Sequence, residues 1–567
     1  MIKLNKHIFK ILVFSLCFFT VLILYYLYFS DIYLSNSINF IIFNNSILFT
    51  PTTTVSLNDL KLLSIVLFIL SDIITSNIIS TKLTKLIPTN SKTKKPKSDA
   101  TSDSLELYIG NSEANDLIKI PESGLYQNFL ITGSIGSGKT SSAMYPFTKQ
   151  LIEYSNSDIT KKLGLLILDV KGNYYLKVKE FAQNCGRQND IIVIEPNGPY
   201  TYNPLDKPNL KPSVIANQLK TILLLFSPNN SEAYWLDKAE TALCEAIKLC
   251  RMYNDNYVTF VEIHKLITDI NYYHEKIKLL HSRFLDNKLS KVEIYDLLSA
   301  IKFFEQEFFA LDLRTLNILK SEITRITNFF VSDYEISKTF CPPRENLSFK
   351  GFYDVIQSGK IVVLNMNISK YKNLSKIISA YLKLDFQTEV MSRLASDSYS
   401  DRPVAFISDE YSEYVTLTDS NFFSQSREAK CINIISTQSY TSLLNALNNK
   451  YSVEVIIQNL VNKIWFRSDD IYTIESAQKQ FGKKDRTHIS HTFSENAKQT
   501  NYNFITHSLN SKDSNISESI NTSTQFDYIY DSNFFTKTLK TFSSLCFLTD
   551  GNKITYTGLI NMLPYFK

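Results

Sequence analysis

Residues 131–146 read ITGSIGSGKTSSAMYP, and three of the chain's 14 glycines, Gly133, Gly136 and Gly138, fall within six of these positions. The eight residues from Gly133 to Thr140 fit G-x-x-x-x-G-K-[ST]. In such a loop, successive backbone N–H groups turn inward around phosphate oxygens, which side chains would obstruct, so glycine is required. Lys139 is then expected to reach the β- and γ-phosphates of ATP, and the Thr140 hydroxyl to bind Mg²⁺. The expected nucleotide contacts are Gly133, Ser134, Gly136, Ser137, Gly138, Lys139, Thr140 and Ser141. The flanks agree: Asn128–Thr132 reads as a short buried strand, and a helix can follow from Lys139.

A phosphate loop of this kind needs a partner carboxylate at the end of another buried strand. Val404–Ser408 followed by Asp409-Glu410 supplies one. Asp409 is expected to hold the Mg²⁺ shell together with Thr140, and Glu410 to polarise the attacking water. Asp169 competes for the part, since it follows another buried run, Leu165–Leu168. It has no adjacent second acid, and Lys171 follows it, so it reads as a strand-end feature near the nucleotide or a subunit interface rather than half of the metal pair. A further strand ends at Gln438, where a glutamine can contact the γ-phosphate or the lytic water. Eleven residues earlier stands Arg427, in SQSREAK. Arg427, or Arg467 in KIWFRSDD, is a candidate arginine finger for a neighbouring subunit's phosphate. The expected catalytic set is therefore Lys139, Asp409, Glu410, Gln438 and Arg427.

The chain's 567 residues leave room for two or more domains with ample core. A net charge of +5 over this length neither demands nor excludes nucleic acid. Seven scattered cysteines without a C-x-x-C pair argue against a disulfide framework or a zinc site and suit a reducing compartment. The seven histidines form no metal-spaced cluster; His488 and His491 lie in a polar stretch and read as solvated.

Ile11 to Phe29 is an almost unbroken apolar run, long enough to cross a hydrocarbon core of ~30 Å. A weaker run covers Leu62 to Ile79 and carries Asp72. No Lys or Arg occurs from Ile11 through Leu60, whereas Lys3, Lys6 and Lys10 precede the first run and Lys82, Lys85, Lys92, Lys94, Lys95 and Lys97 follow the second. The positive-inside rule then places both ends in the cytoplasm. A cleaved signal peptide fits less well, because Tyr25, Tyr26 and Tyr28 leave no small-residue cleavage site. The expectation is a multi-pass protein of the cytoplasmic (inner) membrane, with residues 1–80 as an anchor of two transmembrane helices and 81–104 as a basic linker.

Between Asn229 and Cys341 there is neither glycine nor proline, which predicts helices joined by polar turns. Trp235, Ala239, Ala242, Leu243, Ala246, Ile247 and Cys250 recur at helical spacing and read as core. Short Val/Ile/Leu runs occupy both sides of this block. The expected architecture is an α/β nucleotide-binding domain, 105–205 and 346–567, interrupted by an all-α domain over 206–345. Residues 486–530, rich in Ser, Asn and Thr, read as a loop or partly disordered.

Taken in order, these features resemble the type IV coupling proteins, the membrane-anchored ATPases of conjugation and type IV secretion. The resemblance runs from the two N-terminal apolar runs through the phosphate loop with its trailing YPFTKQL, then LILDVKGNYY, TYNPLD, AYWLDKAETAL, FISDEY, REAKCINIISTQS and the closing FSSLCFLTDGNKITYTGLINMLPYF. Two departures stand out: Ser134-Ile135 replaces the family's usual Pro-Thr, and Ala429-Lys430-Cys431 lacks a glycine often found there. The resemblance implies a RecA-like motor that forms a homo-oligomer, a hexamer with ATP between subunits, tied to secretion-channel components. It implies ATP-driven export of single-stranded DNA with its relaxase, or of effector proteins. Two other readings share parts of the pattern: a membrane-tethered double-stranded DNA translocase for chromosome segregation, and a non-hydrolysing nucleotide-binding scaffold. The chain carries no LSGGQ-like signature of an ABC transporter and no N-K-x-D motif of a small GTPase.

Overall fold

The computed structural model describes residues 104–226, 233–286, 288–395, 401–495, 500–503, 505, 508–511 and 516–566. Both expected membrane spans, and the linker except for its last residue, lie outside the described residues. Among the described residues, no helix is long and apolar enough to cross a membrane.

Runs such as GLLIL, IVVL, VAFIS and CINIIST are apolar or small at nearly every position and are buried along their whole length. Such runs suit parallel strands covered on both faces. They form the middle of a large sheet. Its strands in chain order are β1 (Glu106–Ser112), β2 (Leu117–Pro121), β3 (Phe129–Thr132), β4 (Gly164–Leu168), β5 (Ile191–Ile194), β6 (Ile361–Leu364), β7 (Val404–Ser408), β8 (Cys431–Thr437) and β9 (Asn462–Trp465). After β9 come β10 (Lys483–Glu495), β11 (Thr500–Asn503), β12 (Ser508–Ser511) and β13 (Ile516–Tyr528), which lie outside that sheet, and then β14 (Ser543–Thr549) and β15 (Ile554–Asn561), which belong to it. The spatial order is β2-β1-β15-β14-β9-β3-β8-β7-β4-β6-β5. From β9 to β5 every described pairing is parallel. The β2-β1-β15-β14 extension is antiparallel.

One face of the sheet is covered by α1 (Tyr145–Glu153) and α2 (Tyr174–Asn184), whose Phe147, Leu151, Val178 and Phe181 share a core with Ile131, Leu165 and Ile407. The other face meets the helical segment 206–345, which includes the block free of glycine and proline. Its described residues form helices: α3 (Pro212–Leu224), α4 (Ala233–Tyr253), α5 (Phe260–Thr268), α6 (Ile270–Leu285), α7 (Lys291–Lys302), α8 (Leu313–Val331) and α9 (Tyr334–Phe340). Most of the α4 stripe is core, with Ala239, Ala242, Ala246, Ile247 and Cys250 fully buried, whereas Trp235 at its start is half-buried and packs edge-on against Tyr234. This core is continuous with the sheet through α10 (Asn373–Ser392), Leu166, Val362 and Phe406, so the helical block is packed onto the sheet rather than folded around a core of its own. Residues 102–567 accordingly form one compact unit.

The stretch 486–530 departs from its expected loop. β10 and β13 pair in register from Lys483↔Tyr528 to Glu495↔Ile516 as an antiparallel ribbon. Thr487, Ile489, His491 and Phe493 face the same side, opposite Thr524, Thr522, Ile520 and Glu518. Composition hid this period-two pattern: the Ser and Asn that suggested a loop occupy one side of the ribbon, while β-branched and aromatic residues on the other favour extended backbone. His488 and His491 stand 2.7 Å and 2.8 Å from carboxylate oxygens of Asp527 and Glu518, both exposed.

Candidate functional site

All of the parallel strands point the same way, and ligands of such sheets bind outside the strands' carboxyl ends. There Thr132 leads into the phosphate loop, Leu168 into Asp169, Ser408 into Asp409-Glu410, Thr437 into Gln438, and Trp465 toward Arg467. β8 lies between β3 and β7, so Gln438 stands between the phosphate loop and the acid pair.

The loop is held from below by backbone. Gly133 N–H donates to Gln438 O at 3.2 Å, and Ser134 N–H to Arg467 O at 2.7 Å. The Ser134 hydroxyl also donates to Arg467 O, and the Ser137 hydroxyl to Ser134 O. Positive φ at Gly136 and Gly138, +75° and +100°, turns the chain through conformations that favour glycine. The Gly138 Cα also rests against the Phe542 ring, where an added Cβ would come within 2.6 Å of Cδ1. Beyond the loop, Thr140–Met144 forms a π-helical turn that runs into α1. The Ser141 hydroxyl donates to Gly138 O.

The Lys139 ammonium is buried inside the loop and donates to the carbonyls of Gly133 and Ser134. Burial pushes its pKa below the ordinary lysine value, against the pull of Glu410 and Asp409. A desolvated cation in a glycine-rich loop that opens a helix is a site suited to anionic phosphate.

The Thr140 hydroxyl donates to Asp409 Oδ2 at 3.0 Å, so the two expected metal ligands stand side by side. A hydroxyl and one carboxylate, with room for water and phosphate oxygens, is a donor set that suits Mg²⁺. Asp409 is 1% exposed. Glu410 adopts a left-handed backbone, φ +51°, which is costly for a residue with a Cβ and turns its carboxylate into the cleft. There it accepts from Lys171 Nζ at 2.9 Å and from the Gln438 amide at 3.3 Å. Tyr411, next in the chain, is tied by its hydroxyl to Asp419, which also accepts from the buried ammonium of Lys383 at 2.6 Å.

Asp169 does not share the metal position. Its carboxylate accepts from the backbone N–H groups of Lys171, Asn173 and Tyr174, shaping the turn into α2. Burial raises its pKa, partly offset by those N–H groups. What it positions is Lys171, whose ammonium sits between the acids, 3.6 Å from Asp409 Oδ2.

The resulting cleft has a volume of about 540 Å³ and holds Ser134–Gly136, Gly138–Ser141, Lys171, Asp409, Glu410 and Gln438. Arg427 is not brought to it. It precedes β8, at the opposite edge of the sheet from Gln438, where it borders Glu106, Glu122 and Tyr126. The seven residues of β8 at ~3.3 Å each keep it roughly 20 Å away, so it plays no part in the cleft of its own chain. Arg467 contributes its carbonyl to the loop, as above.

Sequence reading missed the aromatic part of the cleft, formed by Tyr145, Tyr565 and Phe566. Only the unusual density of aromatics in the final LPYF signalled it.

Among solved structures, the chain is similar to the bacterial conjugative coupling protein TrwBdeltaN70, with a TM-score of 0.50 at 11% identity over 80% of this chain and 88% of that one. The fold is that of TrwB. A second TrwB structure, in complex with ADP and Mg²⁺, aligns with a TM-score of 0.51 at 10% identity, over 80% of this chain and 89% of that one. VirB4 of Thermoanaerobacter pseudethanolicus aligns over 81% of this chain and 96% of its own, at 12% identity and a TM-score of 0.42. No protein-family model and no curated protein matches the sequence. The TrwB likeness is one of architecture, an α/β core with a helical block.

Proposed function

We propose that the chain is a membrane-anchored ATPase that couples a single-stranded DNA–relaxase complex, or an effector protein, to a type IV secretion channel and drives its export by ATP hydrolysis. The observation that carries this reading is the Thr140–Asp409 contact at 3.0 Å with Glu410 and Gln438 joined in the same cleft. A loop that only bound nucleotide would need no acid aimed at the water position.

The parts have separate work. Lys139, drawn from the carbonyls of Gly133 and Ser134, donates to the β- and γ-phosphate oxygens, while the loop amides bind the phosphates. Mg²⁺, when held by Thr140 and Asp409, supplies charge neutralisation at the β- and γ-oxygens. Glu410 accepts the proton of the attacking water, and the Gln438 amide orients that water. Among the described residues no arginine lines the cleft, and its cations are Lys139 and Lys171. An arginine finger would therefore come from a neighbouring copy, which favours a homo-oligomer, a hexamer by analogy with other RecA-like motors; Arg427 and Arg467 are its candidates. The basic-flanked apolar runs before residue 80 support an anchor in the cytoplasmic membrane with the ATPase domain inside.

The test is export and phosphate release by Lys139→Ala and Glu410→Gln. Lys139→Ala is expected to lose nucleotide binding. Glu410→Gln should keep it while turnover falls by on the order of 10²–10⁴, the usual contribution of a general base. Normal export in both variants would refute the proposal, and duplex DNA translocation without any channel would favour the tethered translocase.

A further inference from the structure

The acids mark the γ-phosphate end of the cleft, so the nucleoside of a bound nucleotide must leave over the other end. That end is built from residues far along the chain. Phe542 lies under Gly138, and its N–H donates to Ser137 O at 3.3 Å. Its own carbonyl accepts from Met562 N–H at 2.8 Å, and Tyr565 N–H donates to Ser141 O at 2.9 Å. Two backbone bonds thus clip the ends of the β14–β15 hairpin onto the phosphate loop. The Tyr565 ring is fixed edge-to-face on Tyr145, centroids 5.1 Å apart, with Lys177 Nζ 4.7 Å from its centre. Phe566 lines the cleft beside them. It meets Tyr565 at an interplanar angle of 82° and Phe542 at 73°; neither pair is stacked, and the residue stays 59% exposed.

We propose that Phe566 is the nucleobase platform of this site, held in place by Tyr565 and Phe542, and that it takes purine nucleotides by stacking. The inference rests on the nucleotide reading above and adds what lies beyond the phosphates. A benzyl ring offers no donor or acceptor, so it reads the π-face of a base and not its edge. Adenine and guanine nucleotides therefore bind alike here, and the phosphate loop supplies the rest of the affinity. Because Phe566 is exposed, replacing it removes a ligand contact without opening a core.

The experiment measures ADP, GDP and inorganic tripolyphosphate binding to the purified full-length chain, wild type against Phe566→Ala and Phe566→Trp. Phe566→Ala should weaken ADP and GDP by similar factors, on the order of tenfold, the size of one base–aromatic stack. Tripolyphosphate, which has no base, should bind both proteins equally, and Phe566→Trp should restore nucleotide affinity. Unchanged ADP binding in Phe566→Ala would overturn the proposal, as would an equal loss of tripolyphosphate. A wild-type chain that binds tripolyphosphate but gains nothing from a base also overturns it while leaving the phosphate loop's role intact. Failure of the wild type to bind either ligand refutes the nucleotide reading itself.

Discussion

Lys171 Nζ donates to Glu410 Oε1 at 2.9 Å and lies 3.6 Å from Asp409 Oδ2, linking the turn after β4 to the acid pair after β7. Burial opposes its charge, but the fields of Asp409 and Glu410 and the hydrogen bond to Glu410 raise its pKa above the ordinary lysine value. The ammonium stays protonated throughout the neutral range and pins the carboxylate that is to receive a proton.

Removing that pin is expected to slow chemistry more than binding. Lys171→Ala should lower turnover by about tenfold, less than the ~10² that full misplacement of a reacting group costs, with Lys171→Arg in between. Steady-state phosphate release checks it. Unchanged turnover would reduce the contact to a half-exposed ion pair of little consequence.

The glycines of the loop differ in what they tolerate. Around Gly136 no atom lies within 4 Å of an added Cβ, whereas at Gly138 the Phe542 ring lies 2.6 Å away and its backbone nitrogen 3.2 Å. Both have positive φ, so both substitutions carry the backbone penalty of about 1–2 kcal/mol. Gly138→Ala must also displace the β14–β15 clip. Its thermal midpoint should drop further than that of Gly136→Ala, and its nucleotide affinity with it. Equal midpoints for the two variants would mean that Phe542 yields freely.

These contrasts show what was legible in the sequence and what was not. Gly133–Thr140 and Asp409-Glu410 are local patterns, each set by a strand end and the chemistry it must present, so a linear reading finds them and places Thr140 against Asp409. The glycine-free block is legible for the same reason, since helices are made by near neighbours. Phe542, Tyr565 and Phe566 fit no spacing motif, and LPYF shows only that aromatics cluster there; the pairing of β14 with β9 and β15 is what brings them to Gly138 and Ser141. The sequence offers Arg427 to a neighbouring copy, and the seven residues of β8 between it and Gln438 keep it out of its own chain's cleft. In β10 and β13 the composition of Ser and Asn outweighed an alternation that only cross-strand pairing reveals.

Behind Glu410 lies a second charge pair. Lys383, on α10, and Asp419 are both fully buried, with Nζ 2.6 Å from Oδ2. Lys383 also donates to Tyr414 O and Thr416 Oγ1, and Gln387 and the Tyr411 hydroxyl donate to Asp419. Lys383→Met strands a buried carboxylate and should cost about 3–5 kcal/mol in urea unfolding. Adding Asp419→Asn should recover part of that loss, because the uncompensated charge goes. Strictly additive losses in the double variant would show that the two groups are not coupled. Since Tyr411 follows Glu410 directly, both single variants should also slow hydrolysis.

Lys463 offers a pH test of the sheet itself. It sits on β9 between Leu130 of β3 and Phe547 of β14 and is 6% exposed. Burial alone pushes its pKa down to about 8. Unfolded, the ammonium holds its proton to ~10.4. Between these two values the unfolded chain binds more protons, so stability from this group rises with pH; below about 8 both states are charged and the full cost of burying the ammonium is felt. Lys463→Met should therefore stabilise the protein at pH ~7 by on the order of 3 kcal/mol, and by clearly less at pH ~9.5. Urea unfolding of both proteins at the two pH values isolates Lys463, because every other titration is common to the pair. A stability gap that does not change with pH would mean that the ammonium reaches water.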